Sequence, residues 1–157
     1  MLGPGISPFA TSESFNILRH FADGTMKSGV PNFGIGAVDV RDVAEAHIRA
    51  GFTPTANGSY IVSAHDTDFP EMAGILRQRF GDTFPFPKRR MPKWVVWLLG
   101  PVLDKSLTRK MVSRNIDHPF RADNSKSIRD LGMSYRPLDI SLIDMFQQMI
   151  DHDLVSP

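Results

Sequence analysis

The chain has 157 residues, of which 41% are hydrophobic and 22% charged, with a formal net charge of +1 and no Cys. That length suits one domain with a real core, and the composition excludes wholesale disorder and an integral membrane protein. The near-zero net charge supplies no general pull toward nucleic acid, and the lack of Cys removes disulfides, thiolate metal sites and a Cys nucleophile.

The first residues, MLGPGISPF, have neither the basic nor the apolar region of a signal peptide, so a cytoplasmic location is expected. Met1 and Leu2, followed by Gly3, Pro4 and Gly5, read as the end of a buried strand entering a loop, as if cut mid-element. From Thr11 or Ser12 to Ala22, the spacing of Phe15, Leu18 and Ala22 predicts an amphipathic helix closed by Asp23 and Gly24. Residues 27–36, KSGVPNFGIG, read as a loop. The organising stretch follows at residues 37–50, AVDVRDVAEAHIRA: a strand over about 37–40, then a helix. Asp42 is its expected cap, with Glu45 at capping-box spacing and Val43, Ala46, His47 and Ala50 on the buried face.

A turn at Asn57 and Gly58 leads to a second predicted strand, SYIVSA, over residues 59–64. Asp68, Pro70 and Glu71 signal the next helix start, with Met72, Ile75, Leu76 and Phe80 inward and Gly81 as its stop. Strand, helix, strand, helix in this order predicts parallel α/β packing. Beyond it, Pro85 and Pro87 make residues 83–90 a rigid loop. Short helices are expected over 92–99 and 124–131, and a longer one over 139–153 carries Leu142, Met145, Phe146, Met149 and Ile150.

Chemical motifs are sparse. Gly3 with Gly5, and Gly34 with Gly36, lack the third glycine and the following helix of a phosphate-cradling loop, and read as ordinary turns. Of Asp39, Asp42 and Glu45, capping explains two, which is favoured over a metal, and His47 reads as a satisfied, half-buried histidine rather than a base. Ser63 and the pair His65 and Asp66 are too close in sequence to make a triad, and no GxSxG turn presents a nucleophile. Residues 88–103, KRRMPKWVVWLLGPVL, join a basic cluster to an apolar run broken by Gly100 and Pro101. The run is about half the roughly 20 residues that span a bilayer. A buried helix roofing a hydrophobic pocket is the favoured reading, and an interfacial membrane anchor the alternative.

Several pieces in fixed order, LGPGIS, PNFGIGAVDVRDVAEAHIRA, GSYIVSA, PKWVVWLLGPVL and FRADNSKSIRDLGMSYRPL, resemble one family across nearly the whole chain. They are similar to the C-terminal half of extended short-chain dehydrogenase/reductases, within the NAD-dependent epimerase/dehydratase superfamily, of the dihydroflavonol 4-reductase-like and aldehyde-reductase branch. The resemblance implies an α/β fold: the C-terminal portion of a Rossmann-type extended reductase, with two parallel strands and a mainly helical substrate-binding lobe. Residues 1–66 would be the remnant of the sheet domain and residues 67–157 the lobe. In that family the N-terminal half carries the glycine-rich loop, the catalytic Ser and a Tyr-x-x-x-Lys pair, with NADP or NAD as cofactor. Here Tyr60 and Tyr135 are followed four residues later by Ala64 and Asp139, so no catalytic residue carries over. No cofactor is expected to bind this chain alone.

Substrate-facing positions do carry over: Ser7 and Phe9 after the LGP turn, Gly36 entering the pocket strand, and Trp94 and Trp97 on the covering helix. Plant flavonoid reductases tend to have a polar group where Gly36 stands. The implied partners are a small-molecule carbonyl substrate and the N-terminal dinucleotide-binding half, without nucleic acid. An unpaired strand edge would favour a homodimer. The alternative reading is a non-enzymatic binding or membrane-peripheral module that uses residues 88–103.

Overall fold

The first helix and the strands around it depend on where backbone groups find partners. In the computed structural model, which describes residues 1–7, 12–103 and 107–156, α1 (Glu13–Ala22) buries Phe15, Leu18, Phe21 and Ala22, as its periodicity predicts. Residues 27–36 are not simply a loop. They hold β1 (Val30–Pro31) and β2 (Gly34–Ala37). The organising strand therefore starts and ends earlier than expected, and α2 (Val40–Phe52) begins at once after it. Its cap is Asp39 and not Asp42: Asp39 has extended backbone, and its carboxylate accepts from the amide of Arg41 at 2.8 Å. Glu45 makes no capping box. It pairs with Arg49 one turn on.

The second strand is also displaced. Residues 59–64 join no ladder, and β3 (His65–Asp68) pairs with β2 in antiparallel register, Gly36 opposite Asp66. The preceding segment is held instead by isolated bonds. Ala64 donates to the Ala37 carbonyl at 2.8 Å, and the Asn124 side chain donates to the Ser63 carbonyl at 2.7 Å. Asp68 then caps α3 (Phe69–Phe80) through the Glu71 amide at 2.7 Å, and Gly81 closes the helix at a φ of 65°. Residues 83–90 are more than a rigid loop, because Phe84 and Phe86 are buried there. The segment ends in β4 (Arg90–Met91), which pairs in parallel with β1.

The helical part contains α4 (Lys93–Leu103), α5 (Arg109–Asn115), α6 (Ser125–Leu131) and α7 (Leu138–Asp151). Gly100 and Pro101 do not break α4, and α5 has no counterpart in the expected elements. Gly132 ends α6 in the left-handed region at a φ of 63°. The class is α/β, with parallel pairing at β1 and β4 and at a bridge between Leu2 and Asp39. The pair built on the organising strand is the antiparallel exception.

The main core packs α1, α3 and α7 around the 84–86 segment. Phe146 sits at its centre, with ring centroids 5.0, 5.1 and 5.3 Å from Phe80, Phe84 and Phe86. A second cluster joins Ala46, Leu131 and Met133. A third joins Val96, Val112 and Ile116, and so fastens α4 to α5.

Candidate functional site

Gly34 and Gly36 owe their identity to the chain that crosses them. Phe33 forms an antiparallel bridge with Ile116, and Asp117 donates to the Asn32 carbonyl at 2.9 Å, which lays residues 116–120 along β2. A Cβ at Gly34 would stand 2.7 Å from the Phe120 amide nitrogen and 2.8 Å from the His118 oxygen. A Cβ at Gly36 would stand 2.5 Å from the Phe120 ring and 2.6 Å from Ser63 Oγ. The glycines therefore allow a close backbone approach, and are neither turns nor a phosphate cradle. Beside them lies a cavity of about 190 Å³ lined by Asn32, Gly34, Asp66, Thr67, Asp68, Glu71, Pro119 and Phe120. Ser63 Oγ is buried with no hydrogen-bond partner among the described residues, a polar group available to whatever displaces the half-exposed Phe120 ring. Sequence reasoning named Gly36 but missed Phe120 and Ser63 as its neighbours. The signal for Phe120 was only its place at the head of the FRADNSK piece.

The other expected positions are not gathered at this notch. Phe9 lies outside the described residues, and Ser7 is exposed after a turn tied to α7. There the Gly5 amide donates to Gln148 Oε1 at 2.7 Å, and Gln148 Nε2 donates back to the Gly5 carbonyl at 2.8 Å. Gly3 has a φ of 99°, and a Cβ on it would meet Asp39 Oδ1 at 2.9 Å. Trp94 and Trp97 do not sit in a core. They are 68% and 40% exposed on α4, with Leu98 and Leu99 also exposed and Val102 at 83%. Val96 and Gly100 are the buried positions among their neighbours, so the helix is seated by one narrow side. Two larger open grooves, about 490 and 460 Å³, flank Lys88 and Arg89 and contain none of the expected site residues.

The remaining polar groups have structural partners. Asp39 is buried. Burial alone would raise its pKa, but hydrogen bonds from the Arg41 side chain, Ser141 and the Arg41 amide, with the Arg41 charge, outweigh that and hold it at about 2. Asp42 is buried and accepts from the Arg136 amide at 2.8 Å and from its guanidinium. His47 is exposed rather than half-buried, with Nδ1 at 2.7 Å from the Val43 carbonyl. His65 Nε2 bonds the Arg136 carbonyl at 2.7 Å. Lys126 lies over the Tyr60 ring at 4.4 Å and donates to the carbonyls of Asn57 and Ser59, so this Tyr and Lys form a clasp and no proton relay. Tyr135 bonds Ser127 at 2.6 Å.

Neither glycine pair offers a free cradle for a dinucleotide's phosphates. The Gly5 amide is engaged by Gln148, and the faces of Gly34 and Gly36 are covered by residues 118–120 and Ser63. No group of three or more His, Asp or Glu among the described residues is placed to hold a metal.

No family model matches the chain. It is 26% identical to cinnamoyl-CoA reductase 1 of Arabidopsis thaliana over all of its own length and 39% of that protein. It is 28% identical to a putative dihydroflavonol 4-reductase of Synechocystis, over 98% of this chain and 47% of that one. Its fold matches the yeast methylglyoxal/isovaleraldehyde reductase Gre2 complexed with NADPH at a TM-score of 0.67 and 22% identity, covering 97% of this chain and 44% of that one. The chain thus spans less than half the length of the relatives it matches from end to end. The proteins it is similar to are cinnamoyl-CoA and dihydroflavonol-reductase-like reductases of the extended short-chain dehydrogenase/reductase family, and it matches a part of each.

Proposed function

We propose that this chain is the substrate-binding C-terminal part of an NAD(P)-dependent oxidoreductase that reduces an aldehyde, ketone or related carbonyl to the alcohol. The observation that carries the reading is coverage: reductases match 98–100% of this chain while it spans 39–47% of them. In this reading residues 1–66 belong with the sheet domain and residues 67–157 with the substrate lobe. Gly36 faces the substrate, with Phe120 and Ser63 beside it at the notch; Ser7 and Phe9 go with it on the resemblance alone, and Trp94 and Trp97, exposed on α4, are left out of the pocket. Gly36 leaves room for the Phe120 ring, and Ser63 Oγ supplies a hydrogen bond to a substrate oxygen once that ring turns out. The cofactor and the proton donor belong to the dinucleotide-binding half, so this chain alone binds neither NADP nor NAD and does not turn over. A cytoplasmic location goes with that reading.

The test is a single-turnover assay of the purified chain with NADPH and a panel of aliphatic and aromatic aldehydes, followed by loss of nicotinamide absorbance. No oxidation is expected. Stoichiometric oxidation dependent on the aldehyde would contradict the assignment of the chemistry to residues outside this chain.

A further inference from the structure

The net charge of +1 conceals a strong asymmetry. Residues 88–116 hold eight Lys and Arg and a single Asp, a local charge of +7, and the rest of the chain carries −6. The same stretch contains the exposed apolar face of α4. Trp94, Trp97, Leu98 and Val102 recur at i, i+3, i+4 and i+8, so they project from one side of the helix, opposite the buried Val96 and Gly100. Monomeric domains rarely leave such a contiguous apolar patch without a partner.

The fold holds Arg109 against this face. Lys93 Nζ donates to the carbonyls of Ser113 and Ile116 at 2.9 and 2.8 Å, locking α5 against α4. Arg109 of α5 then places its guanidinium 4.6 Å from the centre of the Trp97 ring. Arg89, Arg90, Lys110 and Arg114 are exposed and have no ion-pair partner among the described residues. At 11 residues α4 is too short to cross a bilayer. It has the make-up of a helix that lies in the interface, with aromatic and aliphatic side chains inserted and cations among the headgroups.

We infer that α4 and α5 form a docking surface for an anionic lipid bilayer. This does not rest on the reductase reading. A second copy of the chain is a poor occupant, since a two-fold interface would bring Arg109, Lys110 and Arg114 of one copy against those of the other. Nucleic acid would leave Leu98, Leu99 and Val102 without a role, because aliphatic side chains give bases nothing to stack on.

The chain has only two Trp, both on this face, so its intrinsic fluorescence reports the site directly. The experiment mixes the full chain with vesicles of phosphatidylcholine alone or with about 30% phosphatidylserine, reading flotation and Trp emission. Expected are flotation and a blue shift with the anionic vesicles only, both weakened in about 0.5 M salt. Arg109→Glu with Lys110→Glu should lower partitioning by at least about tenfold, and Trp94→Ala with Trp97→Ala should do the same in flotation, each with an unchanged circular dichroism spectrum. All four are exposed positions, so the fold is expected to survive. Absence of flotation on anionic vesicles would overturn the inference. So would equal binding to neutral vesicles, a concentration-dependent blue shift without lipid, or release of the chain from vesicles by RNA.

Discussion

Asp39 and Asp42 are buried carboxylates one turn apart that face different arginines. Asp39 is bound by Arg41, which also reaches Asp144 of α7 at 2.8 Å. Its folded-state pKa of about 2 lies below the ordinary 3.8, so ionised Asp39 stabilises the fold fully above the ordinary value and the contribution is lost as pH falls through about 2. Acid titration of stability should show a loss of about 2 kcal/mol between about pH 4 and pH 2, and Asp39→Asn should flatten it. Asp42→Ala removes the partner of both the Arg136 amide and guanidinium. A loss of about 2–4 kcal/mol is expected in urea denaturation. The glycines of β2 should separate in the same assay. Gly34→Ala presses on backbone and should cost about 2 kcal/mol, whereas Gly36→Ala presses on two side chains, the half-exposed Phe120 ring and Ser63 Oγ, and should cost less, about 1 kcal/mol. That an acid caps α2 was legible in DVRD; which acid was not, because Asp39 and Asp42 both fit the pattern. The choice rests on Arg136, which lies 94 positions along the chain from Asp42.

Among the elements, the best-read were those whose signals are local. Asp68, Pro70, Glu71 and Gly81 bracket α3, and the heptad-like apolar spacing of α7 places Leu142, Met145, Phe146 and Met149 inward. The strand at 65–68, HDTD, carries no apolar alternation and exists because β2 offers it a partner. SYIVSA has the stronger strand propensity but is clamped from the side by α6, through Lys126 and Asn124. Lys126→Ala should therefore speed amide exchange around residues 57–60 and cost about 1 kcal/mol, with little change elsewhere. Phe84 and Phe86 were hidden by their flanking prolines, which read as loop although the rings complete the box around Phe146. Phe146→Ala should cost about 3–5 kcal/mol in the same denaturation experiment.

For the whole molecule, the largest core cluster draws on residues from Leu2 to Val155, so the two ends of the chain stabilise each other. The two small sheets have two strands each, and the ladder groups on their outer sides are where a larger sheet would pair. The ordered pieces that resemble extended reductases could be read from the sequence because they run the length of the chain, and the end-to-end matches agree with them. The grouping of Gly36 with Phe120 and Ser63 could not, since it depends on a crossing segment more than eighty residues away in the chain. The most direct test of the central claim is to read the genomic DNA immediately upstream of the Met1 codon and translate it in the same frame. The account predicts an uninterrupted frame with a glycine-rich loop and a Tyr-x-x-x-Lys pair. A stop codon or unrelated sequence there would contradict the reading of this chain as the substrate-binding part of a reductase.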